Sequence, residues 1–234
     1  MKFVCIDTST FTESIALMDG ELLCGERSIR RPYGHASGLH ADLRELIEEV
    51  AWSIHDIDAL VIGRGPGSFT GLRVGMAAAK GLAYALGKPL YGIPTSTALL
   101  SALIDQTSAL ALIDARRGEV YAQGDLLNEG TCFTPEYLIE ELKVKEKEPR
   151  ILIGEGAIKY KTIFQTAWPQ VRIPNHMSSH LPRASFLVNG LEDAINNELI
   201  KPSSIAPLEP IYVRKSDAEI NYPDGFPSEA RLFS

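Results

Sequence analysis

Gly63–Gly87, GRGPGSFTGLRVGMAAAKGLAYALG, follows an apolar run, DALVIG at 58–63, that reads as a buried strand. The segment gathers turn chemistry into residues 65–69 and then sustains a helical pattern as far as Gly87. Small residues recur at four-residue spacing, Gly71, Gly75 and Ala79, and so form one ridge of that helix. A glycine inside a helix costs about 1 kcal/mol relative to alanine, so this ridge serves something that needs a bare backbone. Two things do: an anion resting on the helix N-terminus, or another helix packed very close. The named phosphate loops fail here. A G-x-G-x-x-G fingerprint would need glycine at Thr70, and a Walker A loop would need Lys-Ser/Thr where Leu72-Arg73 stand. Ser68 is placed to cap the helix, with Arg73 nearby as the remaining anion contact. The residues favour close packing.

The chain has 234 residues, a net charge of −7 and a pI near 5.3. That length suits one domain or two small lobes. The acidic balance argues against a protein that holds nucleic acid alone, because phosphate affinity comes mainly from Lys and Arg. Lys143–Arg150 (KVKEKEPR) mixes both signs and reads as a solvated turn. Three cysteines, Cys5, Cys24 and Cys132, lack CxxC spacing and read as reduced, small buried apolar residues. MKFVCIDTST turns polar too soon for a signal peptide, and no apolar run is long enough to span a bilayer, so the expectation is a soluble cytoplasmic protein.

The pattern outside the opening segment gives an order βββαβαβα. Strands are predicted at 3–6, 14–18 and 22–29, with Asp19-Gly20 as the hairpin turn. Leu39, Leu43, Leu46, Ile47 and Val50 share one helical face. Strands at 58–63 and 90–93 follow, with the glycine-rich helix between them and another from about Ser96. A second block echoes the first: strands at 110–113 and 119–124, a helix from Thr134-Pro135, a strand at 150–154, and helices at 160–167 and from Pro182 to about 200. The predicted organisation is a first lobe over 1–105, a smaller lobe over 106–200 and an extended tail over 201–234.

Several candidate sites are weak in themselves. Asp7-Thr8-Ser9-Thr10 ends the first strand, where an α/β fold presents ligand groups. It suits a phosphate-bound Mg²⁺ or a plain strand end held by Asx and Ser/Thr turns, and the second reading is favoured. His176 and His180 have i, i+4 spacing, but they lie in NHMSSHLP between two prolines with no acid among them, so no metal site is expected. His35 and His40 read as surface residues. No G-x-S-x-G elbow is present. Asp114 ends the second block's first strand as Asp7 ends the first's; Arg116 and Arg117 read as hairpin residues paired with nearby acids.

Taken together, IDTST at 6–10, GRGPGSFTGLRVG at 63–75 with AKGLA at 79–83, and PIYVRKSDAEI at 210–220 closely resemble the bacterial TsaB (YeaZ) family over nearly the whole chain. The resemblance implies a two-lobed α/β fold of the actin/Hsp70 (ASKHA) kind, with mixed sheets flanked by helices. It implies a non-catalytic partner subunit in making threonylcarbamoyladenosine in tRNA, working with a TsaD-like catalytic subunit and a TsaE-like ATPase. It further implies a homodimer when alone, tRNA contact only through the complex, and no cofactor of its own, with ATP or ADP acting in the complex. The TsaD-like paralogue has a metal-binding H-x-x-x-H whose histidines align with Thr95 and Leu99 here. Ser9 stands where a fuller phosphate loop has glycine, which leaves Asp7, Thr8 and Ser9 as a vestigial cofactor loop. A four-helix contact in the family points to Leu39, Leu43, Ser68, Phe69, Thr70, Gly71, Arg73, Gly75 and Ala79 as the partner interface. The rival readings are a stand-alone ATPase, kinase or peptidase, and a tRNA-binding module.

Overall fold

The computed structural model describes residues 1–30, 38–127, 129–196 and 208–213. Two mixed sheets follow one plan. Strands β1 (Lys2–Asp7), β2 (Thr12–Asp19) and β3 (Leu22–Arg30) run antiparallel. Helix α1 (Leu39–Glu49) leads to β4 (Ala59–Gly63), and α2 (Phe69–Leu86) leads to β5 (Leu90–Ile93). Both strands add in parallel, giving the order β3-β2-β1-β4-β5. Helix α3 (Thr95–Leu100) passes the chain to the second sheet, ordered β8-β7-β6-β9. There β6 (Ala109–Arg116), β7 (Glu119–Gly124) and β8 (Thr131–Phe133) repeat the antiparallel run. After α4 (Pro135–Val144), β9 (Ile151–Ile153) joins β6 in parallel. Helices α5 (Glu155–Lys159), α6 (Lys161–Ala167) and α7 (Leu187–Asn196) follow. The second sheet repeats the wiring of the first without its fifth strand. Among the described residues no helix is long and apolar enough to cross a membrane.

Alternation of side chains decides how the first sheet is covered. Val4, Ile6, Ile15, Leu17, Leu60 and Ile62 face α1 and α2, meeting Leu39, Leu43, Leu46, Met76 and Ala79. Phe3, Cys5, Ala16, Ala59 and Val61 face the other way, where Ala184, Leu187, Val188 and Leu191 cover them. Burial on both faces explains why DALVIG is an unbroken apolar run. It also corrects the predicted lobe boundary: residues 184–191 pack on the first sheet, whose second face would otherwise meet water. Their entry is fixed by the Glu26 carboxylate, which accepts from Ser185 N–H at 3.1 Å and Ser185 Oγ–H at 2.7 Å and pairs with Arg183. The helix expected from Pro182 therefore starts at Leu187, after a 3₁₀ turn at Ala184–Phe186.

In the second sheet Leu110 and Leu112 face one core, while Ala111 and Ile113 meet Leu99 of α3 in another. Helix α3 is thus an apolar wedge between the sheets. Strand β8 and the short helix α5 were not anticipated, while the helix expected over 160–167 is α6. Cys5 is buried, whereas Cys24 and Cys132 are only half-buried. His35 and most of the tail lie outside the described residues.

Candidate functional site

Strand β1 carries Asp7 into a turn that is wholly inside the protein: Asp7, Thr8 and Ser9 are buried. Asp7 Oδ1 accepts from Ser9 N–H at 2.9 Å and from Ser9 Oγ–H at 2.6 Å, an Asx turn reinforced by a hydroxyl. Asp7 Oδ2 accepts from Thr95 Oγ1–H at 2.8 Å. The same Thr95 oxygen accepts from Gly65 N–H at 3.2 Å, and Thr95 N–H donates to Gly65 O at 2.8 Å. One side chain at the start of α3 therefore joins the β1 turn to the loop before α2.

The start of α2 closes over that turn. Ser68 caps the helix, its Oγ accepting from Gly71 N–H at 3.3 Å, while Ser68 N–H donates to Ser9 O at 2.6 Å. Thr8 Oγ1–H donates to Gly71 O at 2.8 Å. A Cβ at Gly67 would lie 2.2 Å from Ser9 O, one at Gly71 2.1 Å from Thr8 O, and one at Gly75 2.1 Å from Thr8 Oγ1. The glycines let the β1 turn lie directly on the helix. The choice posed by the sequence resolves into close packing, with a loop rather than a helix as the neighbour.

Asp7, Thr8 and Ser9 form the turn-held strand end that the sequence favours, with the backbone of α2 packed against it. One expectation is corrected by this geometry. Gly71, Gly75, Ala79, Leu39 and Leu43 are not a partner surface, because all five are buried within the chain. Of the predicted interface, Ser68, Thr70 and Arg73 are exposed and Phe69 is half-buried. The outer face of α2 continues through Ala77, Gly81 and Tyr84, the last 82% exposed, and a Cβ on Gly81 would meet nothing within 4 Å.

The described part of the tail straps down this helix start. Ile211 N–H donates to Arg64 O at 2.7 Å, and Arg64 Nε–H donates to Glu209 O at 2.9 Å. Tyr212 stands 5.0 Å from the Phe69 ring, and the Arg73 guanidinium lies 3.9 Å from the Phe69 centroid while its Nε–H reaches Tyr212 Oη at 3.2 Å. Nothing local in the sequence announces the strap, which joins residues far apart in the chain.

In the second sheet Asp114 is held by Lys159 Nζ at 2.8 Å and by Arg116 through its N–H at 3.0 Å and its guanidinium at 3.3 Å. Arg116 and Arg117 sit in the left-handed region, at φ 66° and 49°, in a hairpin turn completed by Gly118. The Arg116 guanidinium lies 5.0 Å from the Phe11 ring on the β1–β2 turn, a contact between the two lobes. Burial pushes the Glu155 carboxyl above its usual pKa, and Asp114 adds to this against the opposing pull of Arg116 and Arg30.

The histidines do not converge. His180 is buried, its Nδ1 accepting from Gly154 N–H at 3.0 Å and its Nε2 lying 2.7 Å from Pro174 O, which places the ring proton on Nε2. His176 and His40 are exposed. Among the described residues no three His, Cys, Asp or Glu side chains gather as a metal site. At the positions matching the paralogue's histidines, Thr95 is bonded as above and Leu99 is packed in the core. A hydroxyl so engaged and an aliphatic chain do not fit a transition metal.

The TsaD family model, described as tRNA N6-adenosine threonylcarbamoyltransferase, matches residues 33–222. The tRNA threonylcarbamoyladenosine biosynthesis protein TsaB of Escherichia coli is 36% identical over 124 residues, 52% of this chain and 53% of that protein. The TsaB of Bacillus subtilis is 26% identical over 231 residues, 95% of this chain and 98% of its own length. At the higher identities the chain spans about half the length of the curated relatives it matches. A solved Pseudomonas aeruginosa structure, of a protein described by its similarity to peptidase YeaZ, superposes with a TM-score of 0.72 at 24% identity, covering 91% of this chain and 99% of that one. That likeness concerns the fold. The chain belongs to the TsaD family, and the named curated relatives it resembles over most of their length are TsaB proteins.

Proposed function

We propose that this chain is a non-catalytic partner subunit in the synthesis of threonylcarbamoyladenosine in tRNA. A TsaD-like subunit transfers threonylcarbamoyl from threonylcarbamoyl-AMP to the adenosine beside the anticodon, in tRNAs reading codons that begin with adenine. This chain binds and supports that subunit together with a TsaE-like ATPase, and reaches tRNA only through the complex. It takes no cofactor alone, and ATP or ADP acts in the assembled complex.

The observation that carries this reading is the fate of the catalytic positions. Thr95 is committed to Asp7 and Gly65, Leu99 to the core, and the β1 turn to the backbone of α2. The names of the E. coli and B. subtilis relatives support the pathway. The outer face of α2 supports a partner role: small residues admit a close neighbour, and Arg73 and Tyr84 are the residue types that anchor interfaces. In this reading the family's helical contact uses Thr70, Arg73, Ala77, Gly81 and Tyr84, both in a homodimer and with the TsaD-like subunit. Reconstitution tests it. Purified chain with tRNA and threonylcarbamoyl-AMP is expected to leave tRNA unmodified, and modification is expected once the TsaD-like subunit is added. Modification by this chain alone refutes the proposal.

A further inference from the structure

Residues 208–213 lie across the joint between the two sheets. Leu208 packs on the core of the first sheet, and Val213 packs with Leu99, Ala111 and Ile113 beside the second. Between these anchors the main chain is tied to Arg64, whose carbonyl accepts from Ile211 N–H and whose Nε–H donates to Glu209 O. With its neighbours pinned in this way, Tyr212 stands over the first turn of α2, its ring 5.0 Å from Phe69. Arg73 is exposed there, and a free arginine at such a place would sample many rotamers. Instead it is held from three sides: by the Phe69 face at 3.9 Å, by the Tyr212 ring at 5.9 Å, and by its Nε–H donating to Tyr212 Oη at 3.2 Å. The bond at Nε fixes the turn of the guanidinium. Its terminal amines bond to no described residue.

We propose that Tyr212 is a positioning residue, through which the tail strap holds the Arg73 guanidinium ready for the partner subunit, so that strap docking and partner binding at α2 are coupled. The inference rests on the proposed partner role of the outer face of α2 and names what controls that face. Its warrant is the hydroxyl. A bare ring would cover Phe69 equally well, so packing does not account for the Oη atom, and that atom makes the hydrogen bond that joins strap to α2 among the described residues. An arginine ordered before association loses less entropy on binding. The free terminal amines keep the planar fork that makes arginine a strong interface anchor.

The test uses the full chain and Tyr212→Phe, which keeps the ring and removes the hydroxyl. In the free chain labelled with ¹⁵N, the Arg73 Nε–H signal, assigned by its loss in Arg73→Lys, is expected to exchange slowly with water. Tyr212→Phe is expected to speed that exchange to the rate of an exposed arginine while leaving the melting temperature unchanged. Calorimetry with the TsaD-like subunit is expected to show about fivefold weaker binding for Tyr212→Phe and about tenfold or more for Arg73→Ala. Tyr212→Phe should cost nothing further on the Arg73→Ala background, because it acts through that side chain. An unchanged Nε–H signal in Tyr212→Phe, unaltered partner binding, or losses that multiply in the double variant would overturn the inference and leave the proposed function standing. A wild-type chain that does not bind the TsaD-like subunit would sink the proposed function, and the coupling with it, even where the Nε–H signal behaves as expected.

Discussion

Adding one methyl group at Gly71 asks whether the glycine ridge of α2 belongs to the fold or to a partner. The new Cβ would lie 2.1 Å from Thr8 O, a backbone atom of a turn already tied to Ser68 and Asp7. A comfortable carbon–oxygen contact is about 3.3 Å, so helix and turn must part by roughly 1 Å. That strains the Thr8 Oγ1–Gly71 O bond of 2.8 Å and the Ser68 N–Ser9 O bond of 2.6 Å. Each is worth about 1 kcal/mol, and overpacking adds about 1–3 kcal/mol. Alanine's better helix propensity returns about 1 kcal/mol. Gly71→Ala should therefore lose about 2–4 kcal/mol of stability in urea denaturation followed by circular dichroism. Gly81→Ala is the control on the same helix: nothing lies within 4 Å of its Cβ, so it should gain about 0.5–1 kcal/mol. A Gly71→Ala protein as stable as wild type, or a Gly75→Leu protein that folds normally and fails only in partner binding, would refute the internal contact.

Thr95→Val keeps the shape of the side chain but removes the hydroxyl between Asp7 and Gly65. The loss should be about 3–5 kcal/mol, from one hydrogen bond to a carboxylate and one bared buried amide, with Thr95→Ser recovering most of it; a valine variant within about 1 kcal/mol of wild type would contradict the assignment. Glu155 gives a pH signature: because burial raises its folded pKa above the unfolded value near 4.5, the folded state binds the proton more readily, and stability from this group falls as pH rises through that window. Glu155→Gln should therefore raise the melting temperature relative to wild type more at pH 7 than at pH 4, and an equal difference at both would count against it.

The first sheet is legible because β1, β2, β4 and β5 are buried on both faces, so apolar runs place them, and Asp19-Gly20 places the exposed edge strand β3. The second sheet follows as an echo, apart from β8, whose three residues are too few for alternation to register. The apolar face of α7 is visible in sequence, but a stripe says only that something is covered, and the surface it covers is made by strands at the other end of the chain. The glycine ridge has the same character. Spacing reveals that a close neighbour exists, while its identity as Thr8 and Ser9 depends on a contact some sixty residues away that has no periodicity to betray it. Thr95 is harder still, since comparison with a histidine motif records only what is missing, and its bond to Asp7 is a positive structural role.

These contacts separate the two faces of α2 by function. On the inner face Gly67, Gly71 and Gly75 bring backbone against the β1 turn, and Asp7, Ser9 and Thr95 lock the turn from the far side. Admitting a phosphate there would mean lifting the helix start, breaking the Ser68–Ser9 and Thr8–Gly71 bonds and exposing a buried carboxylate to a second anion. Like charges at such a distance repel strongly away from water. The outer face of α2 is built on the same rigid helix and steadied at its first turn by Tyr212 and Phe69 around Arg73. A helix fixed so firmly from within presents its outer residues at little ordering cost, which is the property a docking face needs.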